Sequence, residues 1–140
     1  DILNLNQKIY KRFYKFNDFQ FIAIGTKEIN MQVENLVAQL QSGTNTEMTK
    51  WFFLLQESKY SKNLFESLGT DLKLDKFHGS PYVFIIDKKG FLRGRNDSDG
   101  IKFGYDMRSV AELNNYMVDD VKIILAEYRL ALKKNNILDN

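Results

Sequence analysis

Residues 80–95 read SPYVFIIDKKGFLRGR and hold the only proline and, from that proline onward, the longest apolar run of the chain. Tyr82 to Ile86 is rich in aromatic and β-branched residues, which favour a buried strand. Asp87 to Gly90 is typical of a tight turn, because glycine adopts a positive φ without steric cost. Phe91 to Arg95 then predicts the returning strand of a β-hairpin whose first strand is buried on both faces. A hairpin alone is not stable in water, so the other elements must pack on it.

The composition bounds the class of protein. The chain has 140 residues, enough for one domain with a buried core, and 44% of them are hydrophobic, which favours a globular fold. A net charge of +2, with both signs spread along the chain, gives no case for nucleic acid as a partner. No apolar run approaches the ~20 residues that a membrane-spanning helix needs, so no membrane span is expected within this chain.

The chain has no cysteine and a single histidine, His78. This excludes disulfides, thiol catalysis and thiolate metal sites within these residues. It also excludes a zinc site that needs several histidines. No catalysis is expected from these residues alone, and the sequence leaves open whether the parent protein is an enzyme.

Four segments have apolar residues three or four positions apart, which predicts amphipathic helices. These predicted helices are Ile2 to Phe16, Asn30 to Gln41, Ser61 to Leu68 and Ser109 to Lys134. Two shorter apolar segments, Phe19 to Ile24 and Trp51 to Leu54, predict strands. This mixture of helices and strands predicts a domain of the α/β class.

The C-terminal helix has the clearest local signature. Ser109 and Glu112 form an S-x-x-E capping box, in which each side chain is expected to bind the backbone amide of the other residue. At about 1.5 Å per residue, a helix from Ser109 to Lys134 would be about 39 Å long. We expect it to cover one face of the sheet, and the alternative is that it binds a partner.

Three residues of the predicted hairpin are candidates for a role at a site. Pro81 is expected at the very start of its strand, because proline cannot donate to a sheet ladder. Arg93 and Arg95 lie on the same side of the returning strand and could clamp a carboxylate or a phosphate of a partner. The alternative is that both arginines are solubilising charges on an edge strand.

The string PYVFIIDKKG at residues 81–90 resembles the segment that begins a strand in thioredoxin-fold proteins. The wider order of elements resembles the SCO/SenC family over residues 3–95. That order is a helix, the strand Phe19 to Ile24, a second helix, KWFFL at residues 50–54, a third helix, a connector with His78, and the hairpin. The resemblance implies a thioredoxin-like fold with helices on both faces of the sheet.

The same resemblance implies copper handling or thiol-redox maintenance during assembly of a respiratory oxidase. It places the protein in the bacterial periplasm or cell envelope, membrane-anchored in the parent, with an oxidase subunit or another envelope protein as partner. The family site uses a C-x-x-x-C pair and a histidine, and His78 is the position that can match that histidine. The cysteine pair has no counterpart, so copper is expected in the full-length parent and no tight binding is expected here. The alternative for His78 is an ordinary loop histidine.

In the family, the cysteine pair and the strand before it would lie upstream of the segment that matches Asp1. In a thioredoxin-like sheet, that strand lies between Phe19 to Ile24 and Pro81 to Asp87. We therefore expect residues 1–140 to be a single thioredoxin-like domain that is N-terminally truncated and has an incomplete sheet, or that another segment fills the gap. Two alternatives remain open: a redox-inert thioredoxin-fold binding module, and a fragment whose function lies in the missing part.

Overall fold

The computed structural model describes residues 1–96, 98, 100 and 102–138, and it shows a mixed α/β fold in which about half of the residues are helical. In chain order the elements are helix α1 (residues 2–13), strand β1 (Phe21–Thr26), helix α2 (Val33–Thr44), strand β2 (Trp51–Gln56), helix α3 (Ser58–Ser67), strands β3 (Tyr82–Val83), β4 (Ile85–Ile86), β5 (Leu92–Arg93) and β6 (Tyr105–Asp106), and helix α4 (residues 110–138). A 3-10 helix, Lys27–Gln32, leads into α2. Among these residues, no helix combines the length and apolar character needed to cross a membrane.

Helix α1 buries the side that the apolar spacing predicted. Leu5, Ile9 and Phe13 lie in the core, and a π-helical turn, Asn6–Tyr10, interrupts the α-helical geometry. The helix ends at Phe13 instead of Phe16, whose side chain is exposed. The predicted helix was therefore too long at its C-terminal end, where the apolar periodicity continued without a core to receive it.

Strands β1 and β2 form a parallel pair, with Phe21 opposite Trp51 and Thr26 opposite Gln56. Both predicted strands exist, but β1 runs from Phe21 to Thr26 instead of Phe19 to Ile24. Helix α2 makes the crossover and extends through Thr44, three residues past the predicted end at Gln41. It ends there because Asn45 adopts a left-handed conformation and its amide donates to the carbonyl of Gln41.

An aromatic cluster joins α1 to the parallel pair. The ring of Tyr10 lies 5.7 Å from both Phe21 and Trp51, and the Phe21 and Trp51 rings are 4.6 Å apart. The Tyr10 hydroxyl is also used: it donates to the carbonyl of Glu47 at 2.7 Å and accepts from the amide of Lys50 at 3.2 Å. Tyr10 therefore fixes both the helix and the turn that leads into β2.

The hairpin is less buried than its sequence predicted. Its first strand divides into β3, which pairs with β6, and β4, which pairs with β5. The expectation of burial on both faces is wrong, since Ile86 is 56% exposed. The predicted return from Phe91 to Arg95 shortens to Leu92–Arg93. Both differences have one cause: the hairpin forms no ladder with β1 and so does not occupy the middle of a sheet.

Helix α4 buries Leu113, Met117, Val121 and Ile124, as the spacing predicted. Its C-terminal part projects past the core, where Leu132 is exposed. Only half of the predicted capping box forms: the amide of Glu112 donates to the Ser109 hydroxyl at 3.1 Å. The Glu112 carboxylate instead accepts from Lys102 and from the amide of Asp106, which ties α4 to β6.

Removal of the Tyr10 hydroxyl should destabilise the fold. Tyr10→Phe keeps the aromatic contacts but leaves the Glu47 carbonyl and the Lys50 amide without this partner, so we expect urea unfolding to show a loss of about 1–3 kcal/mol. Tyr14→Phe is the matched control, because the Tyr14 ring stacks on Tyr10 while no described residue binds its hydroxyl. Equal stability of the two variants would contradict this role.

Candidate functional site

His78 lies on an exposed loop that Asp75 organises. One carboxylate oxygen of Asp75 accepts from the amides of Phe77 at 2.8 Å and Gly79 at 2.9 Å. The hydrogen bond from Gly79, followed by that from Phe77, lowers the pKa of the Asp75 carboxyl. His78 has a φ of 63°, and its amide donates to the Asp75 carbonyl. The imidazole is therefore presented to solvent on a locally ordered turn.

The surroundings of His78 do not assemble a metal centre within the described ranges. No group of three or more histidine, aspartate and glutamate side chains is placed to hold an ion there. The nearest carboxylate in sequence, that of Asp75, already accepts two backbone hydrogen bonds. His78 remains a predicted copper ligand that would need ligands in addition to these.

Pro81 occupies the residue before β3, as predicted for a residue without an amide proton. Its carbonyl accepts from the amide of Met107 at 2.9 Å, which continues the β3–β6 ladder by one step. Pro81 therefore takes part in the pairing with β6 through its carbonyl oxygen, although it has no amide proton to donate. The described contacts do not link His78 or Pro81 to the arginines of the hairpin.

Arg93 points at helix α4. Its two terminal nitrogens donate to the two carboxylate oxygens of Glu127 at 3.0 and 2.8 Å, a bidentate pair. A weaker contact of 3.4 Å joins it to Asp87 in the hairpin turn. The hydrogen bonds with Glu127 raise the pKa of Arg93, and the same pair lowers the pKa of Glu127.

Arg95 makes a second pair with the same helix. Its Nη2 and Nε donate to Asp120 at 2.8 and 3.1 Å, and its guanidinium lies 4.8 Å from the ring of Tyr116. The hydroxyl of Tyr105 donates to Oδ2 of the same carboxylate, an oxygen that also accepts from Arg95 Nε. Burial, followed by this hydrogen bond, raises the pKa of Tyr105, so the hydroxyl stays protonated and acts as a donor.

The spacing of the two acids explains why both arginines reach the helix. Asp120 and Glu127 are seven residues apart, which is two helical turns and therefore the same face of α4. Arg93 ends β5 and Arg95 follows it by two residues, and both side chains reach this face of α4. The sequence predicted this shared side but not its partner, although the i, i+7 acidic pair was a usable signal. Contact of the arginines with an external anion stays a prediction.

A cavity of about 370 Å³ opens beside Arg95 and is lined in part by Lys102, Glu112 and Tyr116. Lys102 donates to Glu112 at 2.8 Å, and Arg95 is held by Asp120. Both described cations of the lining therefore already have a carboxylate partner. This arrangement favours a structural role for the cavity wall over recognition of an anion.

One face of the β1–β2 pair exposes several large apolar side chains. Phe21 and Trp51 point to the core under α1, and the alternate residues point the other way. Among these, Ile22 is 57% and Phe52 50% exposed, and Ile24 and Leu54 are similarly open. We call these four residues the open face. A parallel sheet is normally covered on both sides, so this face is unusual.

The backbone beside the open face is also unpaired. The amide of Phe21 donates to the Lys50 carbonyl, so alternate residues of β1 face β2. The amides of Ile22 and Ile24 therefore face away from β2, and no described residue hydrogen-bonds them. Sequence reasoning missed this surface because a run such as FIAI predicts a strand but does not reveal which of its faces lacks a cover.

Comparison with known proteins adds no relative: no protein-family model, no curated protein and no solved structure matches this chain. The functional proposal therefore rests on the geometry of these residues.

Gly94 allows the end of the hairpin to lie close to the backbone of Phe103, just before β6. We expect the stability of the fold to depend on this close approach. Gly94 has a φ of 146°, and a Cβ there would lie 2.7 Å from the Phe103 carbonyl oxygen. Gly90 also has a positive φ, of 85°, but a Cβ there meets no described atom within 4 Å. We expect Gly94→Ala to lower the free energy of unfolding by about 1–3 kcal/mol more than Gly90→Ala, because only the former adds a backbone clash. Urea unfolding of the two variants measures this difference, and equal losses would show that the close approach is not constraining.

Proposed function

We propose that this chain is a redox-inert binding module of thioredoxin-like architecture that recognises another polypeptide through the open face of its incomplete sheet. The single observation that carries the proposal is the open face itself, with Ile22, Ile24, Phe52 and Leu54 exposed on paired strands. Large exposed apolar patches mark interaction surfaces in soluble domains. The absence of cysteine supports binding over thiol chemistry.

The thioredoxin-like part of the proposal is supported by the order of elements. A parallel pair with a helical crossover is followed by a third helix and a hairpin. Helix α1 packs on the Phe21 and Trp51 side. Helix α3 lies on the other side, where the ring of Phe65 contacts the edge of Phe84 at 5.9 Å.

The open face suits a polypeptide partner better than a small anion. Its four side chains are apolar, whereas the hairpin arginines already hold acids of α4. In this proposal, helix α4 stabilises the hairpin through these ion pairs, and the β1–β2 pair provides the surface that binds the partner. Parallel sheets are normally covered on both faces, and a bound partner would supply the cover that the open face lacks.

Site-specific photo-crosslinking in an extract of the native cells tests the proposal. We expect a benzoylphenylalanine side chain at position 22 or 52 to capture the same polypeptide, because both positions lie on the open face. The same probe at position 133, on the projecting end of α4, is the control for a generally exposed site. Phe52→Lys should reduce capture from position 22 by about tenfold, since a charge cannot be buried there without a partner. Equal capture from position 133, or none from positions 22 and 52, would refute the proposal.

A second candidate is copper handling of the SCO/SenC type, with a respiratory oxidase or another envelope protein as partner. The observation that favours it is the exposed position of His78, three residues before Pro81 and four before the start of β3. One imidazole is a weak site for Cu(I), which prefers thiolate and thioether ligands. This function would therefore need thiolates from outside residues 1–140.

Titration with Cu(I) against a competing chelator tests the second candidate. We expect residues 1–140 to lose the metal to the chelator, because His78 lacks soft co-ligands in this sequence. His78→Ala is the matched control and should behave like the unchanged chain. Tight stoichiometric binding that the His78→Ala variant loses would show that the chain forms a copper site by itself.

A further inference from the structure

The turn of the hairpin joins three segments of the chain at one end of the molecule. The ammonium group of Lys88 pairs with Asp18, in the connection between α1 and β1. The amide of Lys88 donates to the hydroxyl of Tyr128 in α4 at 2.9 Å, and its ammonium group lies 4.8 Å from the centre of the Tyr128 ring. The end of α1, the hairpin turn and α4 at residue 128 therefore lie side by side.

The cations of this region outnumber its acids. We call residues 15–18, 87–91 and 127–134 the basic end, which holds six cations and three acids. Each acid already has a cationic partner: Asp18 pairs with Lys88, and both Asp87 and Glu127 pair with Arg93. No described carboxylate forms an ion pair with the five remaining cations, which are Lys15, Lys89, Arg129, Lys133 and Lys134.

Large apolar side chains are exposed among these cations. Leu130 and Leu132 of α4 are each 64% exposed, Phe91 of the turn is 64% exposed, and Phe16 after α1 is 48% exposed. The phosphates of a nucleic acid would engage the cations but leave the leucines in water. The interface of a lipid bilayer accepts both groups, because its headgroups attract cations while the boundary with the acyl chains accepts apolar side chains.

Helix α4 gives the basic end a convex shape. Residues 129–136 are exposed on every side, because the helix continues past the core. From residue 129 to residue 138 it extends about 15 Å. A polypeptide segment, whether from a partner or from elsewhere in the same chain, would cover one side of this projection. A lipid interface surrounds a projecting helix, so it suits a surface whose cations and leucines point in several directions.

We propose that the basic end binds an anionic phospholipid surface, with the projecting part of α4 at the level of the headgroups. The five cations meet lipid phosphates, and Leu130 and Leu132 enter the boundary between headgroups and acyl chains. Binding of this kind is reversible and requires no membrane-spanning helix. None of these residues belongs to the open face, so the proposal goes beyond the proposed function and can fail separately from it.

Sedimentation with lipid vesicles tests the proposal. The vesicles contain phosphatidylcholine and phosphatidylglycerol in about a two-to-one ratio, and vesicles of phosphatidylcholine alone are the control. We expect residues 1–140 to bind the anionic vesicles at least about tenfold more tightly than the neutral ones, because only the former attract the cations. The bound fraction should fall as the ionic strength rises, since these cations are exposed to solvent.

Two pairs of lysines give a matched comparison. Lys133→Gln combined with Lys134→Gln removes two charges from the basic end and should weaken binding to the anionic vesicles by about tenfold or more. Lys59→Gln combined with Lys62→Gln makes the same change of net charge on α3, where each lysine has a carboxylate partner. We expect this second variant to bind within about twofold of the unchanged chain. All four lysines are exposed, so neither variant should disturb the fold.

A polarity-sensitive dye distinguishes entry into the interface from charge attraction alone. The sequence contains no cysteine, so Leu132→Cys supplies one thiol for labelling at a single position. We expect the emission of this dye to shift to the blue on anionic vesicles, because position 132 enters an apolar environment. Met31→Cys is the matched control: Met31 is 91% exposed on the 3-10 helix, outside the basic end, and its dye should not shift.

Three results would overturn the proposal. The first is equal binding to neutral and anionic vesicles. The second is an equal loss of binding in the two lysine variants, which would indicate an effect of net charge without a defined surface. The third is an unshifted dye at position 132 together with binding to polyglutamate or single-stranded nucleic acid as tight as to vesicles, which would assign the basic end to a soluble polyanion. Crosslinking from positions 22 and 52 does not depend on these results and tests the proposed function by itself.

Discussion

The structure depends on the burial of Tyr10 between α1 and the parallel pair. Its ring contacts Phe21 and Trp51, and its hydroxyl binds the backbone of the turn that begins β2. Two strands cannot form an independently stable sheet, so this contact supplies the apolar cover that β1–β2 needs on its inner face. On the outer face, Ile22, Ile24, Phe52 and Leu54 stay exposed although helix α3 also packs against β1, and these four residues form the open face.

Much of the fold could be predicted because its signals are local. The spacing of Leu5, Ile9 and Phe13 predicted α1, and the spacing from Leu113 to Ile124 predicted the buried side of α4. The mixed α/β class followed from the order of these elements. The thioredoxin-like topology and the SCO/SenC resemblance remain hypotheses, since they depend on a central strand that is not among the described elements.

The parts that could not be predicted depend on long-range partners. The capping box failed in one half because Lys102 and the amide of Asp106 compete for the Glu112 carboxylate. The hairpin arginines could be assigned to one side of a strand, but only the structure places Glu127 and Asp120 opposite them. The open face could not be predicted for the same reason. An apolar run predicts that a strand is buried, but it does not show which segment packs against each face.

The contact between the first and last helices has a consequence for synthesis. The π-helical turn of α1 packs against a second π-helical turn, Leu113–Met117, near the start of α4. Asn4 also donates to the carbonyl of Met107 across 103 residues of sequence. On the ribosome, α1 therefore emerges long before its partner, and the core cannot close until α4 has left the exit tunnel. During that interval the aromatic residues of α1, β1 and β2 lack the cover of α4, so closure of the core is a late step in the folding of this chain.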